Sequence, residues 1–228
     1  MFESGNSNDA TVWDTLEPEV RAMGVQTFRY DRRGYGRSTH FASSVYRVEM
    51  DLETLQGALA SCKINGPIII VAHCYVGGLA TLTARRDKRV KGLVLVDAVV
   101  PGTETPQKVR DTLAEVRPQY AEVREKAPDL ARTVIPIMEA SPRTVRKINT
   151  TPVSLAIAIV DIAADGGAGQ AKPAMAQQWR AANRRFVAQV PALRSYVDAE
   201  RSSHMVMRNR PDLIVSAIRA LTGQLSTQ

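Results

Sequence analysis

Residues 68–80 constrain this chain more than any other stretch. Four apolar β-branched residues, Ile68-Ile69-Ile70-Val71, run into Ala72-His73-Cys74-Tyr75-Val76 and then the pair Gly77-Gly78. The run has the branching and length of a short buried strand, and Leu79-Ala80-Thr81-Leu82-Thr83-Ala84-Arg85-Arg86 reads as a helix. A strand that turns abruptly into a helix is a setting in which a Ser or Cys is presented as a nucleophile. Set against the pattern Gly-x-Ser-x-Gly, Ala72 stands at the first Gly, Cys74 at the Ser and Val76 at the second Gly.

The same alternation of strand and helix extends to both sides. Asp9 can cap a helix from about residue 10 to Met23, which Gly24 ends. Val25 to Tyr30 alternates as a strand does, and Asp31-Arg32-Arg33-Gly34-Tyr35-Gly36-Arg37-Ser38 follows as a loop. Met50, Leu52, Leu55 and Leu59 share a helical face before Asn65-Gly66-Pro67 breaks the chain. Val94-Leu95-Val96-Asp97-Ala98 is a second apolar strand, stopped by Pro101-Gly102. Strands and helices alternating at this pitch give a mostly parallel central sheet flanked by helices, an α/β architecture.

Between Thr105 and Asn149 the pattern changes. Charges line one side of helical segments, and Pro118, Pro128, Pro136 and Pro142 are expected to break them. No strand is expected there, so residues 105–149 read as a helical lid inserted into a core made of 1–104 and 150–228. Val153 to Ile162 resumes strand character, and Asp165-Gly166-Gly167-Ala168-Gly169 reads as a flexible loop. Trp179 to Val190 reads as a helix, Arg194 to Ala199 as a short strand and Asp212 to Thr222 as a closing helix.

Composition bounds the function classes. A chain of 228 residues suits one domain with a full core, with 44% hydrophobic and 23% charged residues. No apolar run approaches the ~20 residues that span a bilayer, and the N-terminus carries neither the basic nor the apolar region of a secretory signal. The net charge of +7 is spread over residues 29–37, 85–91, 143–147 and 180–185. Without a clustered face or interleaved aromatics, this points to a solvated surface rather than nucleic-acid binding. Two cysteines, Cys62 and Cys74, build no disulfide framework and suit a reducing, cytoplasmic setting.

Sheets of this kind gather their reactive groups at the carboxyl ends of the strands. Cys74 lies at one such end, Asp97 at the next, and His204 follows the strand around Tyr196-Val197. Nucleophile, acid and base in this chain order form a triad: His204 takes the proton of Cys74 and returns it to the leaving group, and an aspartate orients His204. Asp161 and Asp165 are alternative acids. The oxyanion that forms needs two backbone N–H donors. One is expected from Tyr75, directly after the nucleophile, and the other from the Gly5-Asn6-Ser7 turn at Asn6.

With these pieces assembled, the chain resembles the α/β-hydrolase superfamily, and within it the lid-bearing esterases and lactonases. The resemblance rests on Glu3-Ser4-Gly5 with Trp13, on Tyr30-Asp31-Arg32-Arg33-Gly34-Tyr35-Gly36-Arg37-Ser38, on Ala72 to Gly78, on Gly92 to Ala98, and on Ser203-His204 with Pro211. It implies a cofactor-free, metal-free hydrolase of carboxylic esters or lactones that forms an acyl-enzyme on Cys74. It also implies that the sheet's opening strands are missing, since Met1 falls at what resembles the family's third strand. Cys74 for Ser and Val76 for Gly depart from the family pattern, and they motivate the alternative of an impaired member that binds a small apolar ligand. A small-molecule substrate is the expected partner; homo-oligomerisation is left open.

Overall fold

The computed structural model describes residues 1–40, 45–165 and 173–226. Strands β1 (Phe2–Glu3), β2 (Ile68–His73), β3 (Val90–Val96), β4 (Ala158–Ala164) and β5 (Arg194–Ala199) lie side by side in chain order, every pair parallel. Between β1 and β2 run α1 (Glu17–Arg21) and α2 (Val48–Ser61), and between β2 and β3 runs α3 (Val76–Arg86). Helices α4 (Pro106–Val116), α5 (Tyr120–Lys126) and α6 (Pro128–Thr150) connect β3 to β4, and α7 (Pro173–Val187) connects β4 to β5. After β5 come α8 (Val206–Asn209) and α9 (Pro211–Ser226). Among the described residues no helix is long and apolar enough to cross a membrane.

Side chains alternate across a strand, so each strand supplies both faces of the sheet. Ile70, Leu93, Leu95 and Ile159 pack with Leu52, Leu55 and Leu59 of α2, Leu79 and Leu82 of α3, and Phe186 of α7. Their neighbours Val71, Val94, Val96 and Ile162 pack with Trp13, Val20 of α1, and Ile214, Ile218 and Leu221 of α9. Each such buried side chain contributes about 1.5–3 kcal/mol. A sheet covered on both faces explains why its strands read as near-continuous apolar runs.

Several local expectations are corrected. The helix expected from residue 10 to 23 is split: Asp9 caps a 3-10 turn at Ala10–Trp13, with Thr11 N donating to its Oδ1 at 2.9 Å, and α1 then starts at Glu17 with Pro18 in its first turn. Proline has no N–H to give and is favoured in a helix's first turn. The strand expected over Val25–Tyr30 makes a single bridge, Arg29 with Phe2, because β1 offers only two residues for pairing. Strand β4 starts at Ala158 rather than Val153, where pairing with Gly92 begins. Helix α7 starts at Pro173, ahead of Trp179. Of the loop expected at 165–169, Asp165 is described and the glycines lie outside the described residues.

Pro136 and Pro142 do not break α6, which continues through both. A proline inside a helix strands the carbonyl four residues earlier. For Pro142 that carbonyl is Met138 O, and the Ser141 hydroxyl donates to it. Pro118 sits in a 3-10 turn, Arg117–Gln119, and Pro128 opens α6.

Candidate active site

The carboxyl ends of β2 and β3 and the loop after β5 converge on Cys74. Cys74 joins β2 to α3 with φ of +61°, in the left-handed region that costs a residue with a side chain about 1–2 kcal/mol. Backbone bonds on both sides hold it there: Cys74 N donates to Val96 O (3.2 Å), while Cys74 O accepts from Gly77 N (3.2 Å) and Val99 N (2.9 Å).

The tight approach in this turn falls one residue later than the family pattern suggests. A methyl on Gly77 would lie 2.5 Å from Ala98 Cβ and 2.8 Å from Val99 O, so only glycine fits. Val76, in contrast, is fully buried within the core at the first position of α3. On the other side, a methyl on Gly5 would meet Cys74 Cβ at 2.8 Å. The Gly5-Asn6 turn therefore lies directly against the candidate nucleophile.

His204 and Asp97 meet across this end of the sheet, His204 Nδ1 lying 2.6 Å from Asp97 Oδ2. Asp97 is itself backbone-strained, with φ of +42°. Its second oxygen, Oδ1, accepts from Ala164 N and from Trp179 Nε1, both at 3.1 Å. Both carboxylate oxygens are thus engaged, and the group's orientation toward His204 is fixed. Cys74 is close enough to the His204 ring to raise its basicity. Burial disfavours the charged ring, but Asp97 and Cys74 outweigh it and push His204 up to about 10.

The alternative acids sit elsewhere. Asp161 is fully buried in β4, and burial, followed by the nearby charge of Asp97, holds its carboxyl well above the usual carboxylate range. With its amide nitrogen facing Asp161, Asn183 donates to Asp161 Oδ2 (3.3 Å) and accepts from Trp179 Nε1 (3.1 Å). Asp165 Oδ2 accepts from Arg201 N at 2.7 Å, which ties it to the turn after β5. Among the described residues neither carboxylate bonds His204.

Tyr75 directly follows Cys74, and Asn6 follows Gly5, whose added methyl would meet Cys74 Cβ at 2.8 Å. Among the described residues neither Tyr75 N nor Asn6 N has an acceptor. The Asn6 side chain is held by Arg32, whose Nη2 donates to Asn6 Oδ1 at 2.7 Å. The Tyr75 side chain points into the core and meets the hydroxyl of Tyr46 at 3.1 Å.

His73, Trp179 and Arg32 are the residues that pattern-reading passed over. A fully buried histidine ending an otherwise apolar strand was the available signal for His73. Trp179 carries none, and Arg32 appears only as a letter of the Asp31–Ser38 loop, because their roles depend on contacts far along the chain. Among the described residues no group of three or more His, Cys, Asp or Glu is arranged to hold a metal.

The fold has many solved counterparts. Over 98% of this chain and 88% of the other, it superposes on a thermophilic esterase from Thermogutta terrifontis with a TM-score of 0.60 at 18% identity. A carboxylesterase of the thaumarchaeon Nitrososphaera gargenis gives 0.69 at 14% identity, covering 98% and 90%. NosK from Streptomyces actuosus gives 0.70 at 17% identity, covering 96% and 95%. At such identities the likeness speaks for the fold alone. An uncharacterized protein of Schizosaccharomyces pombe is 37% identical over 97 residues, 41% of this chain but only 16% of that protein's length. Residues 4–217 match the model of the alpha/beta hydrolase family. The strand order, the strained turn at Cys74 and that match together make this chain a member of the alpha/beta hydrolase family.

Proposed function

We propose that this protein hydrolyses carboxylic ester or lactone bonds through an acyl-enzyme on Cys74, with His204 and Asp97 completing the triad. The observation that carries the reading is the 2.6 Å bond from His204 Nδ1 to Asp97 Oδ2, beside Cys74 in its strained turn. The esterase character of two solved counterparts agrees with it.

In this reading His204 takes up the proton of Cys74 as the sulfur attacks. The Cys74 sulfur attacks the ester carbonyl carbon, and the carbonyl electron pair moves onto oxygen, where Asn6 N–H and Tyr75 N–H receive it. Collapse of the oxyanion breaks the carbon–oxygen bond; the alcohol leaves with the His204 proton, and a thioester remains. Neutral His204 then takes a proton from water as its oxygen attacks the thioester carbonyl. The acid departs, and the Cys74 sulfur leaves and recovers its proton from His204. Asp97 keeps its charge throughout and holds the ring.

Residues 105–149, read as a lid over a core of 1–104 and 150–228, would supply the walls of an apolar acyl site, with Ile135 and Ile137 of α6 among its buried groups. Two free thiols, one exposed at Cys62, fit a reducing compartment such as the cytoplasm.

The test is p-nitrophenyl acetate and butyrate turnover by the parent, Cys74→Ala and His204→Ala proteins. Turnover lost in both variants is expected. Turnover indifferent to both, or absent from the parent on every short-chain ester and lactone, overturns the reading; saturable binding of an apolar ligand without turnover would then favour the impaired-member alternative.

A further inference from the structure

The two candidate oxyanion donors come from distant parts of the chain, and the side chains of the same two residues meet through the protein interior. Arg32 lies between them, with its guanidinium 2% exposed. Its Nη2 donates to Asn6 Oδ1 at 2.7 Å, its Nε to Ser4 O at 3.1 Å, and its Nη1 to Asp51 Oδ2 at 3.0 Å. Asp51 Oδ2 also accepts from the Tyr46 hydroxyl at 2.7 Å, and Tyr46 in turn meets the Tyr75 hydroxyl at 3.1 Å. The guanidinium also lies over two of these rings, 4.9 Å from the centroid of Tyr35 and 5.8 Å from that of Tyr75.

We propose that Arg32 is a positioning residue of the oxyanion hole, acting through the buried belt Asn6–Arg32–Asp51–Tyr46–Tyr75 that ties its two halves together. The inference rests on the triad reading above. Arg32 touches neither nucleophile nor substrate; it sets where the N–H groups of Asn6 and Tyr75 point. Its planar fork suits the task, since three separate acceptors on two segments are held at fixed angles, which a lysine ammonium cannot reproduce. The pair with Asp51 keeps the buried charge neutral, so the belt stays rigid without drawing in water. Oxyanion donors act only near 3 Å from the developing charge, and misplacement by ~1 Å costs ~100-fold in rate.

Two variants cut the belt without touching the triad. Tyr46→Phe removes the hydroxyl between Asp51 and Tyr75 at nearly constant shape, and Arg32→Lys keeps the charge but not the fork. Each is measured for kcat and KM on p-nitrophenyl acetate, for Cys74 alkylation by iodoacetamide, and for its thermal midpoint. Alkylation at a saturated carbon forms no oxyanion, so it reports the nucleophile independently of the hole. The expected result is kcat lower by ~10–100-fold, with KM and the alkylation rate within about twofold of the parent, a split that general loosening of the fold does not produce. Unchanged kcat in a folded Tyr46→Phe protein overturns the role of the belt while leaving the triad standing. Alkylation falling in step with kcat also overturns it, because the damage then lies at the nucleophile. A parent without Cys74-dependent turnover fails the triad reading itself and the belt with it. Should Arg32→Lys not fold, Tyr46→Phe alone decides.

Discussion

His73 donates from Nε2 to the backbone carbonyl of His204 across 3.0 Å, and the two rings lie 4.4 Å apart. The residue before the candidate nucleophile thereby anchors the loop that carries the histidine facing it. Burial, reinforced by the charge of His204, pulls His73 down to about 4, so the ring is neutral and its Nε2 holds the proton to donate.

That arrangement predicts an acid-sensitive fold. Between pH 6.5 and about 4 the unfolded chain protonates at residue 73 and the folded chain does not, so His73's share of stability falls as pH drops through this window. His73→Gln keeps a donor without a titrating ring. Its thermal midpoint relative to the parent is expected to improve steadily from pH 7 to pH 4.5; a constant difference would refute the linkage.

Asp97→Asn should act on rate and on pH dependence together. Loss of the carboxylate is expected to lower kcat/KM by ~10³–10⁴-fold, the effect of misorienting a triad histidine. His204 owes its elevated value to Asp97 and Cys74, which outweigh burial, and activity needs its proton for the leaving group. The parent should therefore lose activity only as pH climbs toward about 10, and the variant at lower pH. An alkaline limb at the same pH in both proteins would contradict this assignment.

Gly5→Ala and Gly57→Ala form a contrasting pair. The new methyl at Gly5 lands 2.8 Å from Cys74 Cβ and 2.9 Å from His73 Nδ1, whereas that at Gly57, on the exposed side of α2, meets nothing within 4 Å. The first is expected to cut kcat by ~100-fold through a shifted nucleophile. The second should leave kcat alone and raise stability by ~0.5–1 kcal/mol. Equal kcat in both variants would show that the turn tolerates more than the geometry allows.

Asp161→Asn tests the buried carboxyl of β4. Its folded-state value stands well above the unfolded one, so the stability it contributes is complete in acid and is lost as pH rises. An asparagine has no proton to lose. The variant's melting advantage over the parent should be absent near pH 4 and grow toward pH 9, and a difference independent of pH would rule out the buried-acid account.

What the sequence revealed follows from how local each determinant is. The all-apolar strands, the strand-to-helix turn at Cys74 and the closing amphipathic helix are local patterns, and the α/β-hydrolase fold was legible from them. The strand expected at Val25–Tyr30 alternates correctly but lacks a neighbour to pair with, a fact set by the two-residue length of β1. Pro136 and Pro142 looked like breaks because the hydroxyl that occupies the carbonyl freed by Pro142 is visible only in three dimensions. At the candidate site, aspartates at 97, 161 and 165 were indistinguishable as letters. The structure brings Asp97 to His204 and spends Asp165 on Arg201 N, because register between β3 and β4 decides which carboxylate faces the loop after β5.

Trp179 gives this chain an optical channel into its own chemistry. Of its two tryptophans, Trp13 is sealed against Phe2 with its N–H on Ser4 Oγ, while the indole of Trp179 is bonded to the carboxylate that holds His204. Each proton leaving or returning to that histidine alters the field across one of the two fluorophores. Tryptophan emission should consequently change in the alkaline range where His204 titrates, with no label attached, and Trp179→Phe should silence it.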